Sequence, residues 1–214
     1  MEGTILQILQ DSELDLAENF SSGLAESRIR QFLELLVKWN QKINLTAEQK
    51  PEEILKRHVF DSLQYTKAIR SHFRVMDIGS GAGFPGIPLK IIFPELKMVL
   101  VESQRKRCSF LETVVRELEM TGIEVINIRA EDISVTYAGQ FDAVVFRAVS
   151  DTQGCLYLGK RYLTLGGRLV LKKPPEENPA AKDPGCGLDL KEEIKITNYS
   201  GLVSSLLVYE NCFT

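Results

Sequence analysis

The stretch Val75-Met76-Asp77-Ile78-Gly79-Ser80-Gly81-Ala82-Gly83-Phe84-Pro85-Gly86 constrains the fold more than any other, because an apolar strand runs straight into a glycine-dense turn. A short apolar run without polar alternation reads as a strand buried on both faces, and such strands belong to parallel sheets covered by helices. Downstream the pattern repeats. Strands are predicted near Arg74 to Ile78, Lys97 to Glu102, Val125 to Ile128, Phe141 to Phe146 and Gly167 to Lys172, separated by amphipathic stretches. That alternation predicts an α/β fold, mostly parallel, with right-handed crossovers. Ile194 to Tyr199 and Val203 to Tyr209 predict a closing antiparallel hairpin at the sheet edge. After the second strand a helix is expected, with Ser103 as cap, Phe110, Leu111, Val114, Val115 and Leu118 inward, and Gly122 closing it.

The first 70 residues read differently. Ile29, Phe32, Leu33, Leu36 and Ile43 recur at three- and four-residue steps, predicting a helix from about Leu24 to Ile43, capped by Ser22, with Trp39 on its buried face. A second helix should begin at Pro51-Glu52-Glu53, where proline suits the first helical position and the acids favour the positive end of the dipole. The expected organisation is a helical appendage over residues 1–70 and an α/β domain over residues 71–214. A chain of 214 residues, 44% hydrophobic, can bury such a core. Pro174 to Gly187 is too rich in proline and glycine for a long helix and is expected to be a loop. No apolar run approaches the roughly 18 residues that cross a bilayer, and acids stand where a signal peptide would carry bases, so a cytoplasmic location is expected. Cys108, Cys155, Cys186 and Cys212 show no paired spacing, which predicts reduced thiols and no metal site.

The glycine turn also predicts a ligand. Without Cβ atoms at Gly79, Gly81 and Gly83 the backbone can take positive φ and lie against a small molecule, and the following helix offers N–H groups to an anionic part of it. Asp77 at the strand tip offers a carboxylate to a cationic part. S-adenosylmethionine, carrying an ammonium and a carboxylate, suits both. Gly81-Ala82-Gly83-Phe84-Pro85-Gly86 equally satisfies the dinucleotide pattern. Glu102, about 20 residues beyond the turn, stands where a ribose hydroxyl pair is held, which indicates adenosine without choosing between the two. Asp77 and the antiparallel ending favour the methyl donor, since a class I methyltransferase sheet carries such a hairpin and a plain dinucleotide-binding sheet does not. The plainest alternative is a structural turn.

These residues resemble one family in particular, the glucose-inhibited-division-B or RsmG-type enzymes, which methylate guanine N7 in 16S ribosomal RNA. The resemblance runs from Trp39-Asn40 and Asn44-Leu45-Thr46 through His58 with Asp61-Ser62-Leu63, then the extended turn Asp77 to Leu89 with its two prolines. It continues with Glu102, Lys106-Arg107, Phe110-Leu111, Arg129-Ala130-Glu131-Asp132 and Arg147-Ala148. It implies a class I, Rossmann-like methyltransferase fold in which Gly79, Gly81 and Phe84 line the methionine side of the cofactor, Glu102 holds the ribose and Ala130-Glu131 lie along the adenine. Arg147 would then stand at the edge between cofactor and substrate. The implied partner is 16S ribosomal RNA or the small ribosomal subunit; a monomer is expected, although nothing in the sequence fixes the oligomeric state.

Guanine N7 has an in-plane lone pair free at neutral pH, so no base need remove a proton beforehand. The sequence agrees with that economy: His58 and His72 both precede the turn, no cysteine follows a proline as base-carbon methylation requires, and no Asn-Pro-Pro-Tyr-like tetrapeptide follows the fourth strand. Catalysis would come from alignment, worth on the order of 7 to 11 kcal/mol. Arg147, the one candidate catalytic residue, must leave N7 vacant and so would bind O6, a phosphate or the cofactor's carboxylate; otherwise it pairs with Asp142 or Asp151. His58 and Asp61 read first as a helix-to-core hydrogen bond and a cap. A net charge of -3 excludes RNA binding by bulk electrostatics and requires a local patch. Its candidates are Arg105, Lys106 and Arg107 after the second strand, Arg147, then Lys160, Arg161, Arg168, Lys172 and Lys173, with Asn44 and Thr46 at the appendage edge; the plainer reading is bases scattered as solvated faces between acids. Rival functions are a non-catalytic ribosomal-RNA-binding assembly factor that keeps the cofactor pocket, a small-molecule methyltransferase, and a nicotinamide-dependent oxidoreductase.

Overall fold

The computed structural model describes residues 2–14, 16, 21–147, 152–173 and 187–212. Its sheet is built from β1 (Arg74–Ile78), β2 (Lys97–Glu102), β3 (Ile123–Asn127), β4 (Phe141–Phe146), β5 (Leu163–Lys173), β6 (Leu188–Thr197) and β7 (Val203–Asn211). The spatial order is β3-β2-β1-β4-β5-β7-β6, with β1 to β5 parallel and β7 antiparallel to both of its neighbours. β1, β2 and β4 have the bounds their apolar runs predict. β3 begins two residues sooner than expected. β5 begins at Leu163 because a register shift between Phe141 and Ala143 of β4 absorbs the Gly166-Gly167 pair, which reads as a turn in the sequence. β6 also starts well before Ile194.

Helices α1 (Glu2–Leu9), α2 (Ser22–Asn40), α3 (Pro51–Ile54) and α4 (Phe60–Leu63) precede the sheet; α5 (Gly86–Ile92), α6 (Arg105–Glu117) and α7 (Thr152–Lys160) cross over it. Between α3 and α4 the chain widens into a π turn, Leu55–Val59, and it tightens into a 3₁₀ turn, Gln64–Lys67, after α4. Three expected caps differ. Ser21 precedes α2 without a side-chain bond, Gln104 precedes α6, and α6 turns off at Glu119, the non-glycine residue with φ 50, ahead of Gly122. α2 stops short of Ile43 because Asn40 folds the following loop onto itself. Its Nδ2 donates to the Thr46 and Glu48 carbonyls, each at 3.0 Å, and its Oδ1 accepts the Leu45 and Thr46 N–H groups at 2.8 and 3.0 Å.

Side chains alternate across the sheet. Val75, Leu100, Val145, Val170 and Val208 share one apolar cluster with α1, α2, α5 and α6, while Met76, Val99, Val144, Leu169 and Leu207 join the cluster under α7. The helices before residue 71 therefore pack onto the sheet's own core. Ile29, Phe32, Leu33 and Leu36 are wholly buried there, each contributing about 1.5–3 kcal/mol. Trp39 lies half-buried with its ring 5.8 Å from Phe110. The loop expected over Pro174 to Gly187 lies outside the described residues up to Cys186, as do Ala148 and Asp151.

Candidate cofactor and substrate site

β1 ends in the middle of the sheet, between β2 and β4, where strand order reverses; doubly wound sheets bind their ligands at such a point. The turn beyond it is pinned by backbone. Gly79 and Ser80 N–H donate to the Val101 carbonyl at 2.9 and 3.0 Å, and Gly83 N–H donates to the Ser80 carbonyl at 2.7 Å. Gly83 has φ 89, and a Cβ on it would stand 2.7 Å from Ile87 Cγ1. Gly79 is exposed, and a Cβ there would meet nothing within 4 Å. Both take the left-handed backbone that favours glycine, Gly79 at φ 78, but only at Gly83 does protein also fill the space a side chain would need; beside Gly79 it is left clear.

That space is a cleft of about 240 Å³ lined by Ile78, Gly79, Glu102, Ser103, Ala130 and Glu131, among others. Glu102, from the end of β2, is nearly buried. Its Oε2 accepts the Gly81 N–H at 3.0 Å and its Oε1 accepts the Gln104 N–H at 2.8 Å, so the carboxylate is oriented before any ligand arrives. Ala130 and Glu131 sit in a 3₁₀ turn beyond β3, half-buried and exposed respectively. The glycine turn, Glu102 and the Ala130-Glu131 turn thus converge on one cleft from three strand ends. An open glycine, Gly79, beside a fixed carboxylate suits an adenosine-bearing ligand.

Asp77 does not face that cleft. It is fully buried; Oδ2 accepts the Gly86 N–H at 3.0 Å and Oδ1 has no hydrogen-bond partner. Burial pushes its carboxyl up to about 7, against the pull of the Gly86 N–H, Ser80 and the Arg147 charge. The other early donors of α5 are also engaged, Ile87 N–H to the Gly83 carbonyl at 2.8 Å and Leu89 N–H to the Pro85 carbonyl at 3.2 Å, while Pro88 has none. Acid and helix start therefore satisfy each other. The reading that they grip the two charges of a zwitterion gives way to a structural role for Asp77, and the strand order becomes the better sign of the methyl-donor class.

Arg147 follows β4 and is the hub of a polar network that no sequence motif announces. Its Nη2 donates to His58 Nδ1 at 2.7 Å and lies 3.8 Å from Asp61 Oδ2, which Lys172 Nζ also reaches. Asp142, one partner expected for it, instead accepts the Arg74 N–H at 2.7 Å; the other, Asp151, is not described. Because a guanidinium only donates, His58 Nδ1 must accept, which leaves the proton on Nε2 facing Glu48 Oε2 at 2.6 Å and Thr46 Oγ1 at 2.9 Å. Burial and the Arg147 charge lower the His58 pKa, favouring that neutral tautomer. The His58 ring stacks on Phe84 at 5.2 Å and the Arg147 guanidinium lies 5.1 Å over the same ring. Phe84 is thus buried under these two groups and against Phe32, 5.5 Å away, and does not line the cleft. Tyr65 Oη donates to the Phe146 carbonyl at 2.8 Å, fixing the helical run 51–67 to the end of β4.

Of the residues expected to meet RNA, Arg105 and Lys106 are exposed on the first turn of α6 and Asn44 is exposed in the loop after α2. Arg107 turns inward, with Nη1 4.0 Å from Glu102 Oε2 and Nη2 3.4 Å from the Asn44 carbonyl. Thr46 is spent on the Glu48–His58 pair. Among the described residues no cluster of three or more His, Cys, Asp or Glu could hold a metal ion, and no helix is long and apolar enough to cross a membrane.

A doubly wound sheet closed by an antiparallel β7, with an open glycine turn and a ribose-type acid at its switch point, defines a class I methyltransferase. Comparison with known proteins carries this to a family. The description rRNA small subunit methyltransferase G (GidB) matches residues 25–201. The chain is 42% identical over 180 residues to Ribosomal RNA small subunit methyltransferase G of a Geobacter species, covering 83% of this chain and 82% of that one. It is 37% identical over 199 residues to the protein of the same name from a Thermoanaerobacter species, covering 86% and 82%. Among solved structures it is similar to a SAM dependent methyltransferase from Aquifex aeolicus, with TM-score 0.57, 15% identity and coverage of 74% and 93%. The chain belongs to the rRNA small subunit methyltransferase G family.

Proposed function

We propose that this chain transfers the methyl group of S-adenosylmethionine to N7 of a guanine in the decoding-region loop of 16S ribosomal RNA, acting in the cytoplasm as a monomer. The observation that carries the reading is the cleft between Gly79, Glu102 and Ala130-Glu131, set on a methyltransferase sheet in a chain of this family. Bound there, S-adenosylmethionine supplies a methyl carbon activated by its sulfonium. Gly79 and Gly81 give it backbone to lie on, and Glu102 accepts from the ribose hydroxyls. Arg147, held by His58 and Asp61, stands beyond the turn, where its charge can anchor O6 or a phosphate and leave N7 vacant. No residue has to take a proton before attack, which agrees with a site whose one histidine is committed to Glu48 and Arg147. A guanine inside A-form RNA is out of reach, so the base must be unstacked in a loop. The test is to incubate the chain with labelled methyl donor and small-subunit RNA, assembled small subunits or a metabolite pool, then map the label. Label on guanine N7 of the RNA supports the proposal; label on an exocyclic amine, a ring carbon or a metabolite overturns it.

A further inference from the structure

We propose that the groove between the last turn of α2 and the first turn of α6 holds a stretch of single-stranded RNA backbone, a surface that rests on the function proposed above. The groove, about 510 Å³, is lined by Lys38, Trp39, Lys42, Ile43, Lys106 and Ser109, with no acid among them. Lys38, Lys42 and Lys106 are exposed, as is neighbouring Arg105, and among the described residues none of the four forms an ion pair. In a chain with 29 acids and 26 bases, such a local excess of uncompensated positive charge stands out against the mean.

The placement on α6 costs stability. Arg105, Lys106 and Arg107 occupy the positive end of a 13-residue helix whose first turn has no acid and whose preceding residue makes no capping bond. Cations there oppose the helix dipole, and an arriving phosphate would offset that. The floor is of a different kind. Trp39 and Ile43 are half-buried, and the indole is fixed against Phe110 at 5.8 Å, so the groove offers a rigid apolar base beneath a cationic rim. Positive rims that track the backbone over flat apolar floors are how single-stranded nucleic acid is held without base readout. The groove and the cofactor site meet on α6: Lys106 lines the groove, and the next residue, Arg107, has Nη1 4.0 Å from Glu102 Oε2 and Nη2 3.4 Å from the Asn44 carbonyl. RNA lying here would arrive at the glycine turn.

The test uses the full chain with Lys38→Ala and Lys42→Ala combined. Both side chains are exposed, so the melting temperature and the heat released with S-adenosylmethionine should match the unsubstituted protein. Affinity for small-subunit RNA should fall. Losing two phosphate contacts flattens the salt dependence, so the ratio of affinities at 50 and 200 mM salt should shrink by about sevenfold, from a slope of about 0.7 per contact on single strands. Lys38→Glu with Lys42→Glu should raise the KM for RNA by at least about tenfold with kcat retained. An unchanged salt ratio and KM in variants that bind the methyl donor normally overturns the groove. If the unsubstituted protein methylates RNA in the same experiment, the proposed function survives that result; if it methylates none, the function falls first.

Discussion

Asp77 offers the sharpest test of the structural reading, because one carboxylate is asked to be wholly buried, to hold a helix start and to lie within the influence of an arginine. Its carboxyl is raised from 3.8 to about 7, burial being the largest cause. The sign follows directly. A carboxyl that ionises less readily in the folded chain gives its full stabilisation below pH 3.8, and that stabilisation is lost as pH rises through about 7. Between pH 5 and pH 8 the loss is about 2–3 kcal/mol. Asp77→Asn keeps the shape and an oxygen for the Gly86 N–H while removing the titration. Unfolding in urea, followed by far-ultraviolet circular dichroism at both pH values for both proteins, isolates the effect, since every other titrating group cancels in the difference. The stability of Asp77→Asn relative to wild type should improve by about 2–3 kcal/mol on going from pH 5 to pH 8. A difference constant to within about 0.5 kcal/mol, the scatter expected for independent sites, would mean that the carboxyl ionises at its ordinary value and the burial argument is wrong.

The two kinds of glycine should separate cleanly. Gly79→Ala and Gly83→Ala both put a side chain at positive φ and should cost about 1–2 kcal/mol in thermal unfolding; Gly83→Ala, with its Cβ 2.7 Å from Ile87 Cγ1, should cost about 1–3 kcal/mol more, whereas Gly79→Ala, whose Cβ meets no protein atom within 4 Å, should in addition weaken S-adenosylmethionine binding by calorimetry. Because His58 must present an unprotonated Nδ1 to Arg147, and its pKa is lowered, kcat/KM should hold at neutral pH and fall only at pH below 6.5; the groups facing that ring are Glu48, Arg57 and Arg147. His58→Phe keeps a ring against Phe84 but offers no acceptor, so its activity should be lower and its acid limb absent. Arg147→Lys retains charge but not the geometry toward both His58 and Asp61, and should lower kcat by about a hundredfold while leaving the affinity for S-adenosylmethionine within about twofold. A drop confined to that affinity would move Arg147 from the substrate side to the cofactor side.

What the sequence reveals depends on how local the determining contacts are. β1, β2 and β4 are legible to the residue because an apolar run between polar or glycine-rich stretches has one stable use, a strand covered on both faces. The start of β5 is not, since Gly166-Gly167 signals a turn and only the register shift against β4 shows that the chain stays in the sheet. Glu102 is found because a strand end plus a fixed spacing places it at the cleft, whereas Ala130-Glu131 enter only through the family resemblance. Asp77 is assigned to a ligand for a sound local reason, the charge at a strand tip, yet its partner is the N–H of Gly86 nine residues on, a bond that exists only once the turn has closed. The network around Arg147 is the extreme case. Glu48, His58, Asp61, Arg147 and Lys172 come from a loop, a π turn, a short helix and two strand ends, and no spacing links them. One signal was available: His58 and Asp61 are polar residues inside a run, Ile54 to Leu63, that otherwise buries Leu55, Val59 and Phe60. Polar groups in such surroundings are seldom without partners. Here the partners are the residues that fix the Arg147 guanidinium at the end of β4, so the helices before the sheet set that arginine's position as well as covering the core.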